Sequence, residues 1–136
     1  MNEILVWILA VVAQAAGATI WIGVYTSGQS ERGQKAYSRS CSTCHRDDLS
    51  GSDDGAPALR GLVFFERWKD RPLSEMFFVL AETMPQDAPK SLSPAEYADI
   101  ISFMLSKNDV PTGESELPPD LQRLKLILVT EKRSPR

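Results

Sequence analysis

At 136 residues and 15.1 kDa the chain has material for one ordinary domain and too little for two, which excludes a complete multi-domain enzyme. Its 43% hydrophobic and 24% charged residues belong to a folded chain, and 9 Pro and 8 Gly are too few for low-complexity sequence. A formal charge of -3 without any long basic run argues against a nucleic-acid partner.

From Ile4 to Tyr25 no residue is charged. The run Ile4–Val12 has the length of the apolar region of a signal peptide, and Ala13-Gln14-Ala15 and Ala16-Gly17-Ala18 both carry the small-x-small pattern of a cleavage site. Removal of residues 1–18 is therefore the first reading. The start Met1-Asn2-Glu3 lacks a positive charge, however, and apolar character resumes through Thr19–Val24, so retention as a membrane anchor to about residue 25 is the second. A core helix is disfavoured, because Gly17, Thr19 and Gly23 pack poorly in one long apolar helix. Both surviving readings place the folded part outside the cytoplasm, in the periplasm.

Thr26-Ser27-Gly28-Gln29 has capping-box spacing and predicts a helix from about Ser27 to the first cysteine. Its apolar stripe is narrow, Ala36 and Tyr37 with Gly33 one turn earlier, which requires close approach to a neighbour at the glycine. Arg46–Leu59, rich in Ser, Gly and Asp with Pro57, reads as a surface loop. Leu62, Phe64, Phe65 and Trp68 suggest one short helix, and after Pro72 the positions Leu73, Met76, Phe77 and Leu80 suggest another. The clearest helix begins at Ser93-Pro94-Ala95-Glu96 and should end near Lys107–Asn108, with Tyr97, Ile100, Ile101, Met104 and Leu105 on one face. Beyond it, Pro111, Pro118 and Pro119 break the chain into a loop with a short turn at Asp120–Leu124, Leu124–Val129 is ambiguous, and Lys132–Arg136 is a basic tail. The sum is an all-α chain of four to five short helices, with a domain over residues 26–110 and an extension over 111–136.

Two cysteines, Cys41 and Cys44, cannot build a disulfide framework and are too close together to close a useful loop. With His45 the only histidine, a Cys2His2 or Cys3His zinc site is excluded by counting. Cys41-Ser42-Thr43-Cys44-His45 is the C-x-x-C-H pattern of covalent haem attachment: two thiols add to the two vinyl groups and the adjacent imidazole ligates the iron. One helical turn brings both sulfurs to the same edge of a porphyrin. A thioredoxin-like dithiol is the alternative, but that motif belongs with a βαβ pattern that this sequence lacks.

From Val24 to Asn108 the chain resembles a class I monohaem cytochrome c. The pairs Gly33/Tyr37 and Ile100/Phe103 resemble that family's crossing of first and last helices. Val24-Tyr25-Thr26, Arg32-Gly33, Asp48-Leu49-Ser50-Gly51, Thr83-Met84-Pro85 and Glu96-Tyr97-Ala98-Asp99-Ile100 are similar to small periplasmic cytochromes associated with quinoprotein (PQQ) dehydrogenases. The resemblance implies the cytochrome c fold around one haem c, with a methionine between the middle helices and the last one as second axial ligand. Met84 lies there; Met76 and Met104 fall on apolar helix faces as core residues. It also implies that the Pro57 carbonyl, in a loop similar to the family's, orients the histidine. Arg60, Arg67 and Trp68 carry the guanidinium and indole donors that suit haem propionates.

The expected function is that of an exported single-electron carrier with His45/Met84 ligation, not an enzyme, since no second histidine is available for proton transfer. The resemblance implies a quinoprotein dehydrogenase as donor and a cytochrome or terminal oxidase as acceptor. Two alternatives stand beside it: a haem-bearing subunit of a membrane dehydrogenase or oxidase, and a five-coordinate haem sensor.

Overall fold

The protein is seen in a computed structural model that describes residues 17–132. The run Ile4–Val12 and the cleavage position after Ala15 lie outside the described residues. Among those described, the chain is predominantly helical: α1 (Ser27–Ser40), α2 (Ser42–His45), α3 (Gly61–Trp68), α4 (Leu73–Thr83), α5 (Pro94–Lys107) and α6 (Leu121–Leu124), with a 3-10 turn at Ile20–Ile22. The all-α expectation holds, with two more one-turn helices than periodicity reveals. A four-residue helix such as α2 or α6 is shorter than two repeats of the pattern that signals one.

The ends of the long helices fall where their capping residues put them. Thr26 Oγ1 accepts the Gln29 N–H at 3.1 Å, and α5 opens on a complete capping box in which Ser93 Oγ accepts from Glu96 N (3.1 Å) while Glu96 Oε1 accepts from Ser93 N (3.2 Å). These two helices cross in the most extensive contact between elements. The crossing depends on Gly33: a Cβ there would overlap the Asp99 carbonyl and come within 2.9 Å of Phe103 Cβ. One turn on, the rings of Tyr37 and Phe103 meet at 5.2 Å. Helix α5 is buried on nearly all sides because α4 and the segment after it cover what α1 leaves open; Met104 and Leu105 on α5 and Met76 on α4 are all within 1% of full burial.

The folded unit is wider than the expected domain 26–110. Ala18–Thr19 (β1) pairs in parallel with Ile127–Leu128 (β2), in the register Ala18 to Ile127 and Thr19 to Leu128. Ile20 and Tyr25 are fully buried, Trp21 stacks on Phe65 at 6.4 Å, and Trp21 Nε1 donates to Thr130 O at 2.8 Å. The extension contributes Leu117, Leu124 and Val129 to the same core. Ile20 and Tyr25 thus belong to the core while Ile22 between them is exposed, and among the described residues no helix is long and apolar enough to cross a membrane.

Gln29 shows how the extension is held. Its side chain does not close the capping box at Thr26; it accepts from Leu117 N (2.7 Å) and donates to Leu117 O (2.9 Å) in the interior. Gln29→Ala should therefore cost about 1–3 kcal/mol for each backbone group left unpaired. In a denaturant titration of both variants Arg32→Ala should cost less, although Arg32 reaches Asp99 and Glu116 across the same segments, because its guanidinium is itself half exposed to solvent.

Candidate functional site

Helix α1 ends at Cys41, whose N–H donates to Tyr37 O at 2.8 Å, and the next turn is α2, carrying Cys44 and His45. Both thiols are free, Cys44 exposed and Cys41 half-buried. Burial, and then the neighbouring Cys44, push the Cys41 thiol up to about 11. The thioredoxin-like alternative is opposed by the fold, since among the described residues the motif lies between helices and not in a βαβ unit.

His45 is buried, and its Nδ1 lies 2.8 Å from Pro57 O. A carbonyl can only accept, so the proton sits on Nδ1 and the lone pair of Nε2 is left for another partner. The loop that brings Pro57 back is tightly determined. Gly51 N donates to His45 O (3.0 Å), Ser52 N to Ala56 O (2.9 Å) and Leu59 N to Leu49 O (2.9 Å). Gly51 has φ +79°, and a Cβ on it would stand 2.5 Å from Ala56 O and 2.8 Å from the Pro57 carbonyl carbon. Glycine is required there both for the left-handed backbone and for the space.

The residue after the histidine, Arg46, also has positive φ (66°), and its carbonyl accepts the phenol of Tyr37 at 2.5 Å. Burial pushes that phenol's pKa up, so it stays a donor. Asn108, at the end of α5, accepts from Gly61 N (2.8 Å) and donates to Leu59 O (3.1 Å) and Met104 O (2.8 Å), fastening the loop after Pro57 to the last helix. Gly51, Tyr37 and Asn108 are supports that sequence reasoning misses; the positive φ at Gly51 is foreshadowed only by its turn-rich surroundings.

Met84 follows α4 directly. It is half-buried, its N–H donates to Leu80 O at 2.9 Å, and its carbonyl accepts from Tyr97 Oη at 2.6 Å. Met76 and Met104 are core residues at 0% and 1% exposure, which leaves Met84 as the described methionine outside the core. Trp68 is buried at the end of α3 with the Arg67 guanidinium 5.1 Å above its ring. Arg60 is exposed and stands 3.9 Å from Asp48, whose carboxyl is held below its usual range by hydrogen bonds from Ser50 and, more weakly, by Arg60. His45 and Pro57 are thus brought into contact, whereas Arg60 and Arg67 engage Asp48 and Trp68.

Among the described residues no three His, Cys, Asp or Glu side chains converge to hold a bare metal ion. The donors present fit a haem: two free thiols one turn apart, an imidazole with one nitrogen committed to a carbonyl and the other available, and a thioether held outside the core. Among curated proteins and solved structures nothing matches the chain. Residues 28–104 match the family described as cytochrome c oxidase, cbb3-type, subunit III, a stretch that starts in α1, takes in Cys41–His45, Pro57, Trp68 and Met84, and ends in α5. With more than half of its length in that match, the chain belongs to this family of c-type cytochrome domains, whose chemistry is haem-based electron transfer.

Proposed function

We propose that the protein is an exported, periplasmic carrier of single electrons, with one haem c joined to Cys41 and Cys44 and with His45 and Met84 as axial ligands. The observation that carries this reading is the contact between His45 Nδ1 and Pro57 O, because it commits the imidazole to the tautomer that donates from Nε2. When bound, the haem supplies a one-electron ferric/ferrous couple, and thioether ligation sets it at a higher potential than two imidazoles would. The chain's own residues orient the imidazole through Pro57 and Gly51, hold the methionine segment through Leu80 and Tyr97, and pack α1 and α5 behind them. Trp68 and Arg60 are assigned to the propionate edge on the strength of their donors. Export is supported by the apolar run Ile4–Val12.

Met84→Ala is the test. It should leave the haem attached, abolish the ferric charge-transfer band of thioether ligation, lower the potential and admit carbon monoxide at the sixth position. Met76→Ala and Met104→Ala should leave the spectrum alone and cost about 2–5 kcal/mol as core truncations. The band surviving Met84→Ala and vanishing in either of the others would overturn the ligand assignment, and carbon monoxide binding to the unmutated protein would favour the sensor.

Resemblance supports a quinoprotein dehydrogenase as donor and a cytochrome or terminal oxidase as acceptor. Docking should be transient, under about 1,200 Å². Stopped-flow mixing should show fast reduction by a reduced quinoprotein dehydrogenase; slow reduction beside fast reduction by an unrelated donor would reject that pairing. The family description favours a second reading, a haem-bearing subunit of an oxidase assembly. Co-purification of the full chain with oxidase subunits through a sizing column would support it.

A further inference from the structure

All three tyrosines of the chain are buried, and each donates its phenol to a backbone carbonyl: Tyr25 to Val110 at 2.5 Å, Tyr37 to Arg46 at 2.5 Å and Tyr97 to Met84 at 2.6 Å. A buried hydroxyl needs an acceptor, so each bond taken alone is ordinary. Their destinations differ. Val110 lies beyond the end of α5, whereas Met84 is the residue whose side chain is assigned to the iron.

The Tyr97 bond completes the fastening of Met84. Once α4 ends, the backbone of Met84 is extended, with φ -122° and ψ 147°, and its N–H is already spent on Leu80 O. Its carbonyl is the other backbone handle, and the Tyr97 phenol takes it. Tyr97 is itself immobilised: it is 3% exposed, sits in the first turn of α5 directly after the capping box, and meets the Phe77 ring edge to face at 6.3 Å. The methionine segment is therefore tied at one end to α4 and at the other to α5, the helix that crosses α1.

We propose that Tyr97 is a positioning residue for Met84: its phenol holds the Met84 carbonyl so that the thioether stays at the iron against competing ligands. The proposal rests on the His45/Met84 ligation argued above. It separates two roles for one hydrogen bond. A phenol that only satisfies the core would cost stability when lost and leave ligand exchange untouched; a phenol that positions the methionine would loosen the sixth ligand.

The experiment is an imidazole titration of the ferric holoprotein, followed by the thioether charge-transfer band, in the unmutated protein, Tyr97→Phe and Tyr25→Phe. Phenylalanine keeps the ring against Phe77 and removes one oxygen, and Tyr25→Phe removes an equivalent buried bond remote from Met84. Tyr97→Phe should raise the apparent imidazole affinity roughly three- to tenfold, the equivalent of one net hydrogen bond. Tyr25→Phe should leave the affinity unchanged while lowering the unfolding midpoint. Equal imidazole affinities in the two variants, with the band present in the unmutated protein, would overturn this proposal alone. Absence of the band from the unmutated protein would overturn the ligation reading and this proposal with it.

Discussion

Serine at both Cys41 and Cys44 should yield a chain that carries no covalently bound haem after denaturing electrophoresis and haem staining. Each thioether link needs a sulfur, and these are the two sulfhydryl groups the chain possesses. The single variants should be graded: one remaining sulfur can hold the group by one link, so staining should be weakened or lost, and the mass of the intact chain reads the difference directly. Cys41 leads the attachment turn and is half-buried where α1 ends, whereas Cys44 is exposed, so Cys41→Ser should also disturb the packing behind the turn. Loss of the haem should lower the unfolding midpoint as well, because a porphyrin supplies apolar surface for the surrounding helices to pack against. Undiminished staining in the double variant would refute attachment at this motif.

The second large effect is expected at the helix crossing. Gly33→Ala places a methyl group into the Asp99 carbonyl and against Phe103 Cβ, atoms that belong to the body of α5 and cannot rotate aside. Ordinary overpacking costs about 1–3 kcal/mol, and a rigid obstacle puts this substitution at or above the upper end. Separation of the helices would also pull Tyr37 from Phe103, so the damage should reach the Arg46 carbonyl beside the histidine. Gly28→Ala in the same helix is the control: nothing lies within reach of a Cβ there, and alanine's better helix propensity should leave stability unchanged or raise it by up to about 1 kcal/mol. Thermal unfolding of the two variants should move in opposite directions or differ by several degrees.

What the sequence discloses follows the range of the physics involved. Caps and helical periodicity are local, so Thr26, Ser93 and Glu96 mark the starts of α1 and α5, and the apolar stripes place Met76 and Met104 in the core. Gly33 stands out because a helix with so few apolar residues has to gain contact by proximity. Non-local structure is another matter. The union of residues 18–25 with residues 110–130 has no local signal: β1 and β2 are two residues each, too short for an alternating pattern, and Thr19–Val24 continues an apolar run that carries no mark of a partner so far along the chain. The haem-attachment motif is legible because chemistry demands its spacing. Its supports are not, since nothing near Tyr97 in sequence announces the carbonyl of Met84, and Gln29 looks like a capping-box residue until Leu117 claims its side chain.

The pairing of Ala18–Thr19 with Ile127–Leu128 has a consequence for the order in which the protein can be completed. Synthesis runs from the amino end, so Ile20, Trp21 and Tyr25 emerge more than eighty residues before Val110, Thr130 and the strand that cover them. Only after Lys107 has been made can α1 and α5 meet, and until the chain reaches Thr130 the corner beside them is apolar and wet. Residues 110–130 thus act as a latch that closes over an otherwise assembled body. Because closing so long a loop is slow compared with forming a helix, the latch is the step at which a nascent chain stays longest exposed to proteases and to its own kind.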